Sequence, residues 1–292
     1  MQLGVILPQT EIGSDPAVVR DYAVAVEDAG FEYLAVYDHV LGADPARHPG
    51  WAGPYTYATP FHEVFVLLAH LAAVTRRLEL VTEVLVLPQR QTALVAKQAA
   101  EIDLLSGGRL RLGVGIGWNA VEFEALGMDF HTRGRRIEEQ VEVMRRLWSE
   151  EVVTVDGDFH RITAAGINPL PPRRSIPVWM GGSVDAALRR AARVADGLML
   201  NVGLREAPPM IERVRILVAE AGRDPAGFGI CGRITLRDDP GAALERVDAW
   251  RSLGATHVSV TTMGTGLSPR EHAPRLAALA TVAAARERPE SD

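Results

Sequence analysis

Short apolar, β-branched runs alternate with longer amphipathic stretches along the whole chain. The runs fall at 3–7, 33–37, 78–87, 110–116, 178–180, 197–200, 228–236 and 257–261. Most are apolar almost without a break, as strands are when helices cover both faces of their sheet. Helix signals fill the gaps. Asp15 followed by Pro16 places a cap and a first helical residue, and Gly30 stops that helix. Thr59-Pro60 opens a second helix through Thr75, and Thr92 opens a third ending at Gly107-Gly108. Over 133–149, Ile137, Val141, Met144 and Leu147 form a stripe at helical spacing. Ser183 is placed to cap a helix through Ala195, and three more are expected at 209–221, 241–253 and 269–286. Eight strands and eight helices in strict alternation over 292 residues predict an α/β fold, a TIM (β/α)8 barrel. The tail beyond 286 is expected to fray.

One segment interrupts the rhythm. Residues 152–177 carry Asp156-Gly157 between two alternating runs, the signature of a hairpin, and then a proline-rich stretch. Alternation resumes directly afterwards, so this reads as an insertion before strand five inside a single domain spanning 1–292. The rival architecture is a doubly wound sheet with a dinucleotide fingerprint. Gly113, Gly115 and Gly117 approach that motif, but Trp118 stands where its third glycine belongs.

Composition narrows the function. Thirty-one basic against 37 acidic residues leave a net charge of −6, which disfavours a nucleic-acid partner. Cys231 is the single cysteine, so neither an internal disulfide nor a multi-cysteine metal site is available. The opening MQLGVILPQT reads as a strand and not as a signal peptide. No window approaches the ~20 continuous apolar residues of a membrane span, so a cytoplasmic protein without membrane contact is expected. No metal is expected: His62 and His70 are not at zincin spacing. The only lysine, Lys97, falls inside a predicted helix and not at a strand end, which counts against Schiff-base chemistry.

In a barrel, chemistry belongs at the C-terminal ends of the strands. Those positions include Gln9-Thr10, Asp38-His39, Thr82-Glu83-Val84, 115–119, Gly181-Gly182-Ser183 and Asn201-Val202-Gly203. Asp38-His39 offers an imidazole for proton transfer near neutral pH, or else a loop histidine beside a turn-capping aspartate. Gly181-Gly182-Ser183 before a helix suits an anion, with Asn201 completing the nest, or else is a plain turn with Ser183 as cap. The glycines at 113, 115 and 117 admit a flat ligand against the backbone; for Gly113, packing is the better explanation. Trp118 at the rim walls a ring-binding slot or packs a lid.

The string LRLGVGIGWNAVEFEALGMDFHTRGRRIEEQVEVMRRLW at 110–148 resembles the luciferase-like monooxygenase superfamily. More narrowly, it is similar to the F420-dependent oxidoreductase branch of actinobacterial type. VYDHV at 36–40, VLVLPQR at 84–90 and PVWMGGS at 177–183 carry the same resemblance. It implies a barrel with an insertion near strand five, and a hydride transfer between deazaflavin C5 and a small-molecule substrate. His39 would be the acid/base, with Asp38 setting its tautomer. A bulge at Thr82, Glu83 and Val84 with a cis Glu83–Val84 bond would back the central ring. Gly117, Trp118 and Asn119 would line the ring and side chain. Met180, Gly181, Gly182 and Ser183, with Asn201, would hold the phosphate. The implied cofactor is F420, with FMN and an oxygen-using monooxygenase as the alternative, and a homodimer follows family habit. The acidic tail of F420 favours basic residues at the rim, for which Arg133, Arg135, Arg136, Arg173 and Arg174 are candidates. One departure stands out: the sugar-phosphate branch has a glutamate directly after the strand-four glycines, where this chain has Trp118. Glu122 and Glu124 follow out of register, so a sugar phosphate is not expected.

Overall fold

Proline at the first helical turn and aspartate just before it recur in this chain, and they set where several helices begin. Asp15 accepts from the Ala17 N–H at 2.9 Å, and Asp239 caps Pro240 in the same way. The computed structural model describes residues 1–237 and 239–287, the Glu287 side chain excepted; the tail beyond lies outside the described residues. In chain order the elements are β1 (Gln2–Ile6), α1 (Pro16–Asp28), β2 (Tyr33–Val36), α2 (Val64–Val74), β3 (Glu79–Thr82), β4 (Leu85–Val86) and α3 (Thr92–Ser106). Then come β5 (Leu110–Gly115), α4 (Ala120–Ala125), α5 (Arg133–Ser149), β6 (Val153–Asp156), β7 (Arg161–Ala165), β8 (Val178–Gly181) and α6 (Asp185–Val194). The last described elements are β9 (Gly197–Met199), α7 (Ala207–Glu220), β10 (Gly229–Thr235), α8 (Pro240–Ser252), β11 (His257–Thr261) and α9 (His272–Glu287).

The strands pair in parallel in the order β3-β2-β1-β11-β10-β9-β8-β5-β4, and β3 also pairs with β5, which closes the sheet. β3 and β4 are two halves of one barrel strand, interrupted at Glu83–Val84, where the peptide bond is cis. The result is an eight-stranded barrel ringed by helices, as the alternation predicts. Strand residues alternate between two cores. Val5, Leu34, Leu80, Leu112 and Val258 face the helices, while Ile6, Tyr33, Val81, Trp179, Met199 and Cys231 fill the barrel.

Three expectations need correction. The second helix starts at Val64 and not at Thr59, because Glu63 accepts from the Val66 N–H at 2.8 Å and supplies the cap. The helix expected from Ser183 starts at Asp185 with Val184 as its cap residue, so Ser183 does not cap it. A short helix, α4, was not foreseen. The 152–177 segment carries an antiparallel hairpin, β6 with β7, outside the barrel, followed by a loop into β8. Glu139 of α5 pins it: the carboxylate accepts from the Phe159 N–H at 3.0 Å and meets His160 Nδ1 at 2.8 Å, while His160 Nε2 meets Thr92 Oγ1 at 2.5 Å.

The barrel's N-terminal end is plugged. Arg111 lies between the rings of Tyr33 and Trp179, 4.8 and 4.6 Å from their centroids, and pairs with Glu79 at 2.8 Å. His257 packs edge-on against Trp179, and burial, with the Arg111 charge beside it, pushes its pKa down to about 3 from 6.5. Between those two values the unfolded chain binds a proton that the folded chain does not, so stability rises with pH there and levels off above. His257→Gln is therefore expected to lose less unfolding free energy than wild type when the pH falls from neutral toward about 4. Equal losses in urea titrations would remove His257 as a source of acid sensitivity. A groove of about 660 Å³ also lies at this end, beside Leu3, Phe31 and Val247. It includes no residue from the strands' C-terminal ends, and Asp248 is paired there with Arg251 and Arg286.

Candidate active site

With one end plugged, the functional opening is at the strands' C-terminal ends. There β2 runs into Tyr37, Asp38 and His39. The Tyr37 N–H donates to Gln9 Oε1 at 2.9 Å, which ties the ends of the first two strands together through a fully buried glutamine. Asp38 then turns toward β4. Its Oδ2 accepts from the Val86 N–H at 2.9 Å, and its Oδ1 accepts from Arg90 Nη2 at 2.6 Å. Burial raises the Asp38 pKa, and Arg90 and the Val86 N–H offset part of that rise. Asp38 therefore holds the interrupted strand in place and does not touch His39.

His39 has a different partner. Its Nδ1 lies 3.2 Å from Glu122 Oε2, and Glu122 is nearly inaccessible to solvent. The other oxygen, Oε1, accepts from the backbone N–H of Val40 and, at 3.3 Å, of Leu41. Glu122 sits on α4, whose cap is Asn119: Oδ1 accepts from the N–H of Val121 at 3.2 Å and Glu122 at 3.3 Å, and Nδ2 donates to the Leu41 carbonyl at 3.2 Å. Asn119 and Glu122 together clamp residues 39–41. Asn-x-x-Glu is a capping-box spacing, the signal by which this unforeseen helix could have been found in the sequence. The imidazole is enclosed by Tyr55 and Phe61, each 4.9 Å away, and by Trp118 at 5.6 Å.

His39 and the Gly181-Gly182 pair open onto one cavity of about 520 Å³. Val84, after the cis bond, forms part of its wall. A Cβ on Gly115 would come within 2.5 Å of Val84 Cγ2, and one on Gly181 within 2.8 Å of Val84 Cγ1, so these glycines make room for that side chain. Gly117 sits at φ +71° with its open side against Val86. The strand-four glycines thus shape the wall by letting the bulge pack. Trp118, 41% exposed, stands at the rim against Trp51, 5.5 Å away. At the other end, the Gly182 N–H is taken by the Met199 carbonyl at 3.3 Å, but among the described residues the Ser183 hydroxyl and the Asn201 amide have no hydrogen-bond partner. With the first N–H groups of α6 they suit an anion.

Several predicted contacts fall elsewhere. Thr82 is fully buried and donates to the Gly113 carbonyl at 2.6 Å, stitching two strands. Met180 follows the inward-facing Trp179 and so points outward into the helix-facing core. Asn119 spends its amide on the cap and the 39–41 backbone. Arg173 stands against Gly108, and Arg174 pairs with Glu151, both at the plugged end. Tyr55 lines the cavity, and so do Tyr37, Met199 and Arg233, which sequence reasoning did not place in the site. Arg233 was visible in principle as a charge inside an apolar strand, two residues from Cys231 and therefore on the same, inward face.

Fold and cavity together define an α/β barrel with a cavity at its C-terminal mouth, walled by a cis-peptide bulge and edged by a buried carboxylate–imidazole pair. The family model described as luciferase-like monooxygenase matches residues 1–291, and the chain belongs to that family. It is 40% identical over 207 residues, 69% of its length and 71% of the relative's, to an uncharacterised protein of Mycobacterium tuberculosis. It is 32% identical over 254 residues, 83% of its length and 69% of the relative's, to the F420-dependent glucose-6-phosphate dehydrogenase of Segniliparus rotundus. Among solved structures, monooxygenase RslO1 from Streptomyces bottropensis matches in fold with a TM-score of 0.80 at 22% identity, over 99% of this chain and all of that one.

Proposed function

We propose that this chain is an F420-dependent oxidoreductase that moves a hydride between deazaflavin C5 and a small organic substrate, as a cytoplasmic homodimer. The observation that carries the reading is the convergence on one cavity of His39 held by Glu122, the Val84 wall and the uncommitted donors of Ser183 and Asn201. These residues fit a flat ring with an anionic side chain: an apolar wall, a proton-transfer group at one edge and an anion site at the other. When bound, the cofactor supplies the hydride chemistry. The protein's part is placement and protons. Glu122 keeps the proton of His39 on Nδ1, which leaves the other ring nitrogen to take or give one. The F420-using relative supports the same cofactor, while Trp118 in place of that branch's glutamate favours a substrate other than a sugar phosphate. For the homodimer, the support is α2, whose sequence VFVLLAHLAAV carries no charge although Val66 is 71% exposed.

FMN remains the second reading, favoured by one observation: Arg173 and Arg174 stand at the plugged end, away from any tail at the mouth. Titrating the purified protein with each cofactor, followed by tryptophan fluorescence, separates the two. Saturable quenching by F420, with FMN binding at least about tenfold weaker, is expected. Tight FMN binding without F420 binding would replace the deazaflavin.

A further inference from the structure

Two arginines point into this barrel, and they are treated differently. Arg111 is neutralised by Glu79 and closed off between two rings. Arg233 lines the cavity and, among the described residues, is its one permanent cation. Its Nη1 donates to the Tyr37 hydroxyl at 2.9 Å, while among the described residues Nε and Nη2 have no hydrogen-bond partner. The acids nearby do not take those positions. Asp38 is held by Arg90, and Glu83 is engaged by the Ser259 hydroxyl at 2.6 Å, with burial raising its pKa. Burial also raises the pKa of Tyr37, so its hydroxyl keeps its proton, and because that oxygen accepts from Arg233 the proton is free for a ligand. The Tyr55 phenol lies within the same field.

A guanidinium with two uncommitted donors matches a planar oxyanion. We infer that Arg233, assisted by the hydroxyls of Tyr37 and Tyr55, is the recognition point for a substrate carboxylate, whose apolar body lies along Ile116 and Met199. The inference rests on the oxidoreductase reading for the word substrate; the anion site itself rests on the geometry.

The test uses two probes of one shape, cinnamate and cinnamamide, titrated into the purified protein with and without F420 and followed by tryptophan fluorescence. Cinnamate is expected to bind about tenfold or more tightly than the amide, a preference that Arg233→Met abolishes and Arg233→Lys partly retains. F420 affinity should stay within about twofold of wild type in both variants. Wild-type binding of cinnamate no tighter than that of the amide, absence of binding included, overturns the inference. So does an Arg233→Met protein that folds but loses F420, because Arg233 would then serve the cofactor. If the methionine variant does not fold, the wild-type comparison and Arg233→Lys decide alone. A cinnamate preference in a protein that binds neither F420 nor FMN would keep the anion site and remove the oxidoreductase.

Discussion

His39→Ala is expected to lower turnover by about 10²–10⁴-fold, the range a positioned proton-transfer group supplies, with little change in cofactor affinity. The ring is walled by Tyr55, Phe61 and Trp118, so truncation also opens a void and destabilises the loop around it. His39→Gln separates the two effects. Its amide still donates to Glu122 and fills most of the space, but it has no proton to exchange near neutral pH. Both variants should lose rate to a similar degree, while only the alanine protein shows a clearly lower melting temperature. Rates at saturating cofactor and a cofactor titration make the check. Turnover within about twofold of wild type in both would remove His39 from the chemistry.

The barrel was legible because parallel strands buried on both faces carry apolar residues at nearly every position, a pattern surviving any choice of loops. What escaped has identifiable causes. α4 spans six residues, too few for helical periodicity to show, and only its Asn119 cap and Glu122 marked it. Asp38 and His39 were assigned to each other because they are adjacent, yet neighbours on extended chain point opposite ways. Asp38 turns to β4, and His39 reaches α4. The same alternation sends Met180 outward after Trp179. Gly115 and Gly181 were recognisable as special, but their purpose, space for Val84, depends on strands that meet only in three dimensions. Arg233 and Tyr37, 196 positions apart, meet only because the barrel closes.

Those same physical causes make Glu122 the most informative residue to change. Glu122→Ala would strip the acceptor from the Val40 and Leu41 N–H groups and disorganise residues 39–41, so it reports on folding as much as on chemistry. Glu122→Gln is cleaner. Its carbonyl can still accept from the backbone, but its NH₂ then faces His39 Nδ1, which must become an acceptor. The imidazole proton moves to the other nitrogen, and the neutral ring can no longer take one from the cavity. A reversal of this kind at the carboxylate behind a catalytic histidine costs up to about 10⁴-fold in turnover, and a loss of about 10²–10⁴-fold is expected here with cofactor affinity retained. The effect should vanish on the His39→Gln background, because the imidazole whose tautomer matters is gone. If Glu122→Gln slowed the His39→Gln enzyme as strongly as wild type, Glu122 would be acting on the loop and not through the ring.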